Sequence, residues 1–193
     1  MPGPSDSELM TRARGGDSAG LRILIDRHKD PMVNYLTRMT GSRARAEELA
    51  QESFVRMYTT PPQVENGASL APWLYRVATN LLRNQERQAR GARRLGWLLL
   101  RRQPATNGVG ATGEQESRLL AGEAQRQTQA ALAALPLPLR ATLVLREIQG
   151  LSYEEIALAL SCPVGTVRSR INRGRALLRE QLAPYWKGTA DER

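Results

Sequence analysis

An all-α protein is expected, made of two small helical domains joined by a flexible linker, with a helix-turn-helix in the C-terminal domain. Three observations carry this reading. Apolar residues recur every three or four positions across residues 17–90, and again across 119–187. No stretch alternates apolar and polar residues, so strands are not expected. Between the two periodic blocks, residues 91–118 hold five glycines and a proline with no sustained period, as a linker does. The resulting division is an N-terminal tail (1–16), a first domain (17–90), the linker (91–118), a second domain (119–187) and a C-terminal tail (188–193).

Composition narrows the chemistry. The 193 residues carry 28 basic and 19 acidic side chains, a formal net charge of +9, and such a surplus attracts polyanions, nucleic acid first among them. Only Lys29 and Lys187 are lysine; the rest of the basic residues are arginine, whose flat guanidinium makes two-point contacts with phosphates and guanine edges. Cys162 is the one cysteine and His28 the one histidine, which excludes an intramolecular disulfide and a cysteine-rich zinc site. The acids are scattered or sit on outward helix faces, with no converging carboxylate pair. No enzyme activity, cofactor, metal or small-molecule substrate is therefore expected. No apolar run approaches the roughly 18 residues of a membrane span, and the first residues lack signal-peptide architecture, so a cytoplasmic location is expected.

Within the linker, Leu95–Leu100 reads LGWLLL between arginine pairs and fits a short helix docking on a domain, a partner site or a membrane-surface contact, the first being favoured.

The strongest local signal lies in the second domain. Ser152-Tyr153-Glu154-Glu155 is a capping box that starts a short helix with Ile156, Ala157 and Leu160 on one face. Ser161-Cys162 breaks it, and Pro163 suits the start of the next helix, expected to run to about Leu182. On that helix Val164, Val167, Ile171, Gly174 and Leu178 form a buried stripe. The opposite side carries Gly165, Ser169, Asn172, Arg173 and Ala176, flanked by Arg168, Arg175 and Arg179 on one edge and by Thr166 and Arg170 on the other. Five arginines and no acid fall between Arg168 and Arg179. A short helix, a tight turn and a longer basic helix make a helix-turn-helix, whose second helix enters the major groove. Thr166, Arg168, Ser169, Asn172 and Arg173 are the candidate DNA contacts, small polar groups meeting base edges and arginines meeting phosphates.

Leu135-Pro136, Arg140, Leu145-Arg146-Glu147, Gly150 to Ala157 and Cys162-Pro163-Val164-Gly165-Thr166-Val167-Arg168-Ser169-Arg170 resemble the promoter −35-binding domain of bacterial sigma factors, the extracytoplasmic-function (ECF) class above all. The first domain extends the resemblance. Ala46-Glu47-Glu48-Leu49-Ala50-Gln51-Glu52-Ser53-Phe54 is similar to the family's polymerase-binding helix, with Glu48 where the family more often has aspartate. The resemblance implies that Glu47, Glu48, Gln51 and Glu52 face core RNA polymerase. Trp73 to Asn80, with Arg83 and Arg87, looks like the family's −10 recognition helix. Leu70, Trp73, Leu74, Val77 and Leu81 fall on a core face; Arg76, Thr79, Arg83, Arg87 and Arg90 fall opposite, with Asn80 at the edge and Tyr75 nearer the open side. Arg76, Asn80, Arg83 and Arg87 are the candidate −10 contacts on this helix. In the family, the loop corresponding to Thr60–Ser69 captures a flipped base, and Asn66 is its candidate here. His28 reads as a surface or partly buried residue on a helix between Leu21 and Met39.

The resemblance covers residues 17–90 and 128–182 and implies a promoter-directing initiation factor. Its partners would be core RNA polymerase, promoter DNA and an anti-sigma factor. The two promoter elements lie on the order of 55 Å apart, and the linker could extend about 90 Å. The alternative is a conventional helix-turn-helix transcription regulator, which would have no use for the Ala46–Phe54 segment.

Overall fold

The computed structural model describes residues 3–65, 67–99 and 116–188, with side chains described for 3–65, 67–89 and 122–185. The described residues form helices α1 (Asp6–Arg14), α2 (Ser18–Thr40), α3 (Arg43–Thr59), α4 (Ala71–Leu99), α5 (Glu116–Ala134), α6 (Leu137–Leu143), α7 (Tyr153–Leu160) and α8 (Val164–Gly188). A π-helical turn, Val144–Ile148, continues α6. There is no strand among the described residues.

The helix starts are written locally. Ser5 and Glu8 form a capping box for α1, Asp17 accepts the Ala19 and Gly20 amides at the start of α2, and Ser42 accepts the Arg45 amide at the start of α3. In the second domain, the expected box is present: Ser152 Oγ accepts from the Glu155 amide at 3.1 Å, and Glu155 accepts from the Ser152 amide at 2.8 Å.

Several boundaries differ from the sequence reading. Residues 1–16 read as a tail, yet α1 lies in the first bundle with Leu9 fully buried and Met10 nearly so. It packs closely on α2 because Gly20 has no side chain: a Cβ there would lie 3.1 Å from the Leu9 carbonyl oxygen. The block expected to end at 90 continues, since α4 runs to Leu99. That places the backbone of residues 95–99 in α4, while their side chains and Leu100 lie outside the described residues, as does Asn66. Finally, α8 extends beyond Leu182 through Pro184 to Gly188.

α1 to α4 form the first bundle, and α5 to α8 the second. The two bundles touch: α4 packs on α7, and α2 packs on α5, α6 and the π-helical turn. Among the described residues, hydrogen bonds cross this junction. Gln129 Nε2 donates to the Arg38 carbonyl at 2.9 Å, Arg140 Nη1 donates to the Met39 carbonyl at 2.6 Å, and Tyr75 Oη donates to Gln149 Oε1 at 2.9 Å. Two buried nitrogens at the junction, Arg140 Nε and Gln149 Nε2, have no partner among the described residues. Unpaired buried polar groups cost free energy, so these two nitrogens work against the junction.

Candidate polymerase and nucleic-acid interfaces

Along α3, Ala46, Leu49, Ala50, Ser53, Phe54 and Met57 are buried. At about 100° per residue, Glu47, Gln51, Glu48 and Glu52 share an exposed arc of roughly 140° with Val55 and Tyr58. Glu47 pairs with Arg43 at 2.9 Å and Glu52 with Arg56 at 2.8 Å, both exposed pairs one helical turn apart. Val55 and Tyr58 are 52% and 70% exposed, large enough fractions to make this an apolar as well as an acidic face. Together with Leu21, Ile25 and Val33 of α2 and with Phe54, they line a groove between α2 and α3. The sequence reading missed Val55 and Tyr58. The signal was present as two large apolar residues one turn apart on the wheel's polar side.

On α4 the structure leaves Arg76, Asn80, Arg83 and Arg87 exposed. They fall within an arc of roughly 60°. Thr79, expected on this face, is instead 2% exposed, and its hydroxyl lies 2.7 Å from that of buried Tyr35. Tyr75, expected near the open side, is 4% exposed, and its hydroxyl donates to Gln149 just after the π-helical turn. Its ring meets Tyr35 edge-on at 5.0 Å. Burial, and then the neighbouring Tyr35, push the Tyr75 phenol above its ordinary range; burial likewise pushes Tyr35 up to about 12. Both are neutral hydroxyls at physiological pH. Trp73 is half-buried and packs against the core.

α8 shows the expected stripe: Val167 and Ile171 are fully buried, Gly174 is buried, and Val164 and Leu178 are half-buried. A Cβ at Gly174 would come within 2.8 Å of Leu143 Cδ1, so glycine here lets α8 lie close on the end of α6. Arg168, Ser169, Asn172 and Arg173 are exposed and Thr166 half-buried, all on the side away from this contact. The turn before α8 places Ser161 in a left-handed conformation at φ 50, after which the Pro163 carbonyl accepts from the Thr166 and Val167 amides. Arg175 Nη2 pairs with Glu147 at 2.6 Å, an exposed ion pair that links α8 to the π-helical turn. That pairing raises the already high Arg175 pKa.

His28, expected at the surface or partly buried, is buried. Its Nε2 donates to Asp6 Oδ2 at 2.9 Å, while Arg27 Nη1 donates to Asp6 Oδ1 at 2.6 Å. The Leu70 amide, at the head of α4, donates to the same carboxylate at 2.8 Å. Burial alone would raise the Asp6 pKa. The His28 hydrogen bond, the Leu70 amide, the His28 charge and Arg27 together reverse this and hold the carboxyl well below its ordinary range.

Among the described residues, no group of three or more His, Cys, Asp or Glu is arranged to hold a metal, and no helix is long and apolar enough to cross a membrane.

Comparison with known families gives two matches, to sigma-70 region 2 over residues 24–92 and to sigma-70 region 4 over residues 125–178. The chain is 33% identical over 184 residues to the ECF RNA polymerase sigma-E factor of Haemophilus influenzae, covering 93% of this chain and 96% of that protein. It is 39% identical over 194 residues to the ECF RNA polymerase sigma factor SigE of Mycolicibacterium smegmatis, covering 97% of this chain and 73% of that protein. Among solved structures, the fold is shared with CnrH in complex with the cytosolic domain of CnrY (TM-score 0.68, 21% identity, 94% of this chain and 99% of that one). It is also shared with the sigma factor RpoE in complex with the anti-sigma factor NepR from Bartonella quintana (TM-score 0.62, 22% identity, 86% and 96%). With region 2 on the α2–α4 bundle, region 4 on the helix-turn-helix, and the Haemophilus influenzae relative alike along nearly its whole length, the chain belongs to the ECF RNA polymerase sigma factors.

Proposed function

We propose that this sigma factor divides promoter-directed initiation among three helix faces. The arc of α3 docks on core RNA polymerase, with Glu47, Glu48, Gln51 and Glu52 supplying charge and Val55 and Tyr58 supplying apolar contact. Arg76, Asn80, Arg83 and Arg87 of α4, with the loop before it and its Asn66, engage the −10 element. Thr166, Arg168, Ser169, Asn172 and Arg173 of α8 read the −35 element in the major groove. The chain itself makes and breaks no covalent bond; the polymerase does.

The observation that carries this reading is exposure. Each set of described side chains sits on the open arc of its own helix, while the opposite arc builds the core. A conventional helix-turn-helix regulator accounts for α8 but not for α3. Run-off transcription with purified core polymerase on a promoter library is the test, and no promoter selection would overturn the reading. In that assay Arg173→Ala is expected to cost about 1–3 kcal/mol of −35 binding and to relax preference there. An equal loss on every sequence would make Arg173 a phosphate contact.

The closed arrangement must open for this task. Helices in contact lie about 8–10 Å apart, so α4 and α8, linked through α7, have axes within about 20 Å. The two promoter elements lie on the order of 55 Å apart. Removing the Tyr75 hydroxyl (Tyr75→Phe) deletes a hydrogen bond across the junction and is expected to raise the separated fraction, read as a longer distance between spin labels on the two bundles.

RpoE and CnrH were captured with NepR and with the cytosolic domain of CnrY. By extension, this chain is held by an anti-sigma factor until polymerase is needed, and it works in the cytoplasm, where polymerase and DNA are.

A further inference from the structure

α1 lies outside the region 2 match, which begins at residue 24, yet it touches the loop between α3 and α4 at three places. Arg14 Nη2 donates to the Pro61 carbonyl at 3.0 Å, where the loop begins. Ser7 Oγ accepts from the Gly67 amide at 3.4 Å, near its middle. Asp6 Oδ2 accepts from the Leu70 amide at 2.8 Å and lies 3.5 Å from Ser69 Oγ, where the loop becomes α4. Within the loop itself, the Ala68 amide donates to the Glu65 carbonyl.

The grip on the loop is itself anchored. Asp6 is 6% exposed and fixed from behind by Arg27 and His28 of α2. Arg27 also donates to the Pro4 carbonyl at 2.9 Å, tying down the chain ahead of α1. The carboxylate therefore sits between a rigid helix on one side and the loop's end on the other. A side chain so placed touches no DNA, but it sets where the loop stands.

We propose that α1 is a positioning element for −10 recognition: through Arg14, Ser7 and Asp6 it holds the loop at the place from which it meets the promoter. This rests on the reading of that loop as part of the −10 site. Capturing an unstacked base needs a receptor that is already in shape, because a wandering loop would have to be ordered at the moment of binding. Fixing both ends and the middle to α1, with the last end held by the buried Asp6, reduces that requirement. Small misplacements of a positioning group lower discrimination without lowering overall affinity in proportion.

The test uses the full chain with core polymerase and reads base preference from a promoter library. Arg14→Ala is the first variant, since Arg14 is exposed and its removal leaves the core untouched. Ser7→Ala is the second, and Arg14→Lys, which keeps a donor, is the rescue. Arg14→Ala with Ser7→Ala is expected to lower preference at the −10 element by about tenfold. Polymerase affinity, −35 preference and melting temperature should stay near those of the parent, and Arg14→Lys should recover most of the loss. Unchanged −10 preference overturns the proposal. So does a parallel loss at −10 and −35 with a lowered melting temperature, which would mark α1 as a structural brace only. Asn66→Ala separates the two levels of inference. If it alters −10 preference while the α1 variants do not, the loop reading stands and only the positioning role fails. If neither alters it, both fail.

Discussion

Replacing Glu48 and Glu52 by lysine (E48K/E52K) is expected to abolish association with core polymerase in a pull-down while leaving thermal unfolding almost unchanged. The separation of the two effects follows from the geometry of α3. Both carboxylates are exposed and point away from the side formed by Ala46, Leu49, Ser53 and Met57. The reversal removes the Glu52–Arg56 pair, an exposed contact one turn apart and worth about 0.3–0.5 kcal/mol. At the docking face, four charge units change sign-relation with a basic partner. Like charges brought together at an interface cost several kcal/mol, enough for orders of magnitude in affinity. Retained association would remove α3 from the docking assignment. Tyr58→Ala tests the apolar share of the same face and should weaken association without altering its salt dependence.

The second large effect concerns stability. Asp6→Ala is expected to destabilise the first bundle by about 3 kcal/mol at neutral pH, measured by denaturant unfolding. Removing one partner of a buried ion pair leaves the other groups uncompensated: His28 Nε2 and the Leu70 amide would keep no acceptor at this site. The figure sits at the low end for such deletions because the Arg27 side chain is 37% exposed and water takes up its charge. The effect depends on pH in a definite direction. The folded carboxyl titrates well below its ordinary range, so the unfolded chain takes up the proton first as pH falls. Asp6 therefore contributes fully above the ordinary carboxylate range and loses its contribution as pH drops toward the depressed folded value. The stability gap between parent and Asp6→Ala should close over that acid window. A gap that stays constant with pH would mean that the carboxylate's charge contributes nothing.

What could be read from the chain divides along a physical line. The helix-turn-helix is encoded in short-range signals: the Ser152–Glu155 capping box, the Ser161-Cys162-Pro163 break and the Val167–Ile171 stripe all act within a turn or two. The exposed arcs of α3 and α8 follow from the same periodicity. α1 carries an equally good local sign, Ser5 and Glu8 at capping-box spacing, but its place in the bundle rests on packing against α2 and on Asp6 meeting Leu70 from 64 positions away. Nothing in a nine-residue segment followed by Gly15-Gly16 announces such a partner. Thr79 and Tyr75 went astray for a related reason. A helical wheel assumes one buried side, whereas α4 packs against α2, α3 and α7. The π-helical turn after Leu143 left no mark in the periodicity either.

The closed junction has a consequence for how strongly any promoter is felt. If only the separated form engages both elements, the dissociation constant observed equals the intrinsic one divided by the fraction already apart. Each 1.4 kcal/mol that favours closure then weakens apparent promoter binding tenfold. The buried nitrogens of Arg140 and Gln149, without partners among the described residues, work against closure. A substitution supplying them with acceptors would act as a dimmer on the whole regulon, raising the threshold for every target alike without touching a single DNA-facing residue.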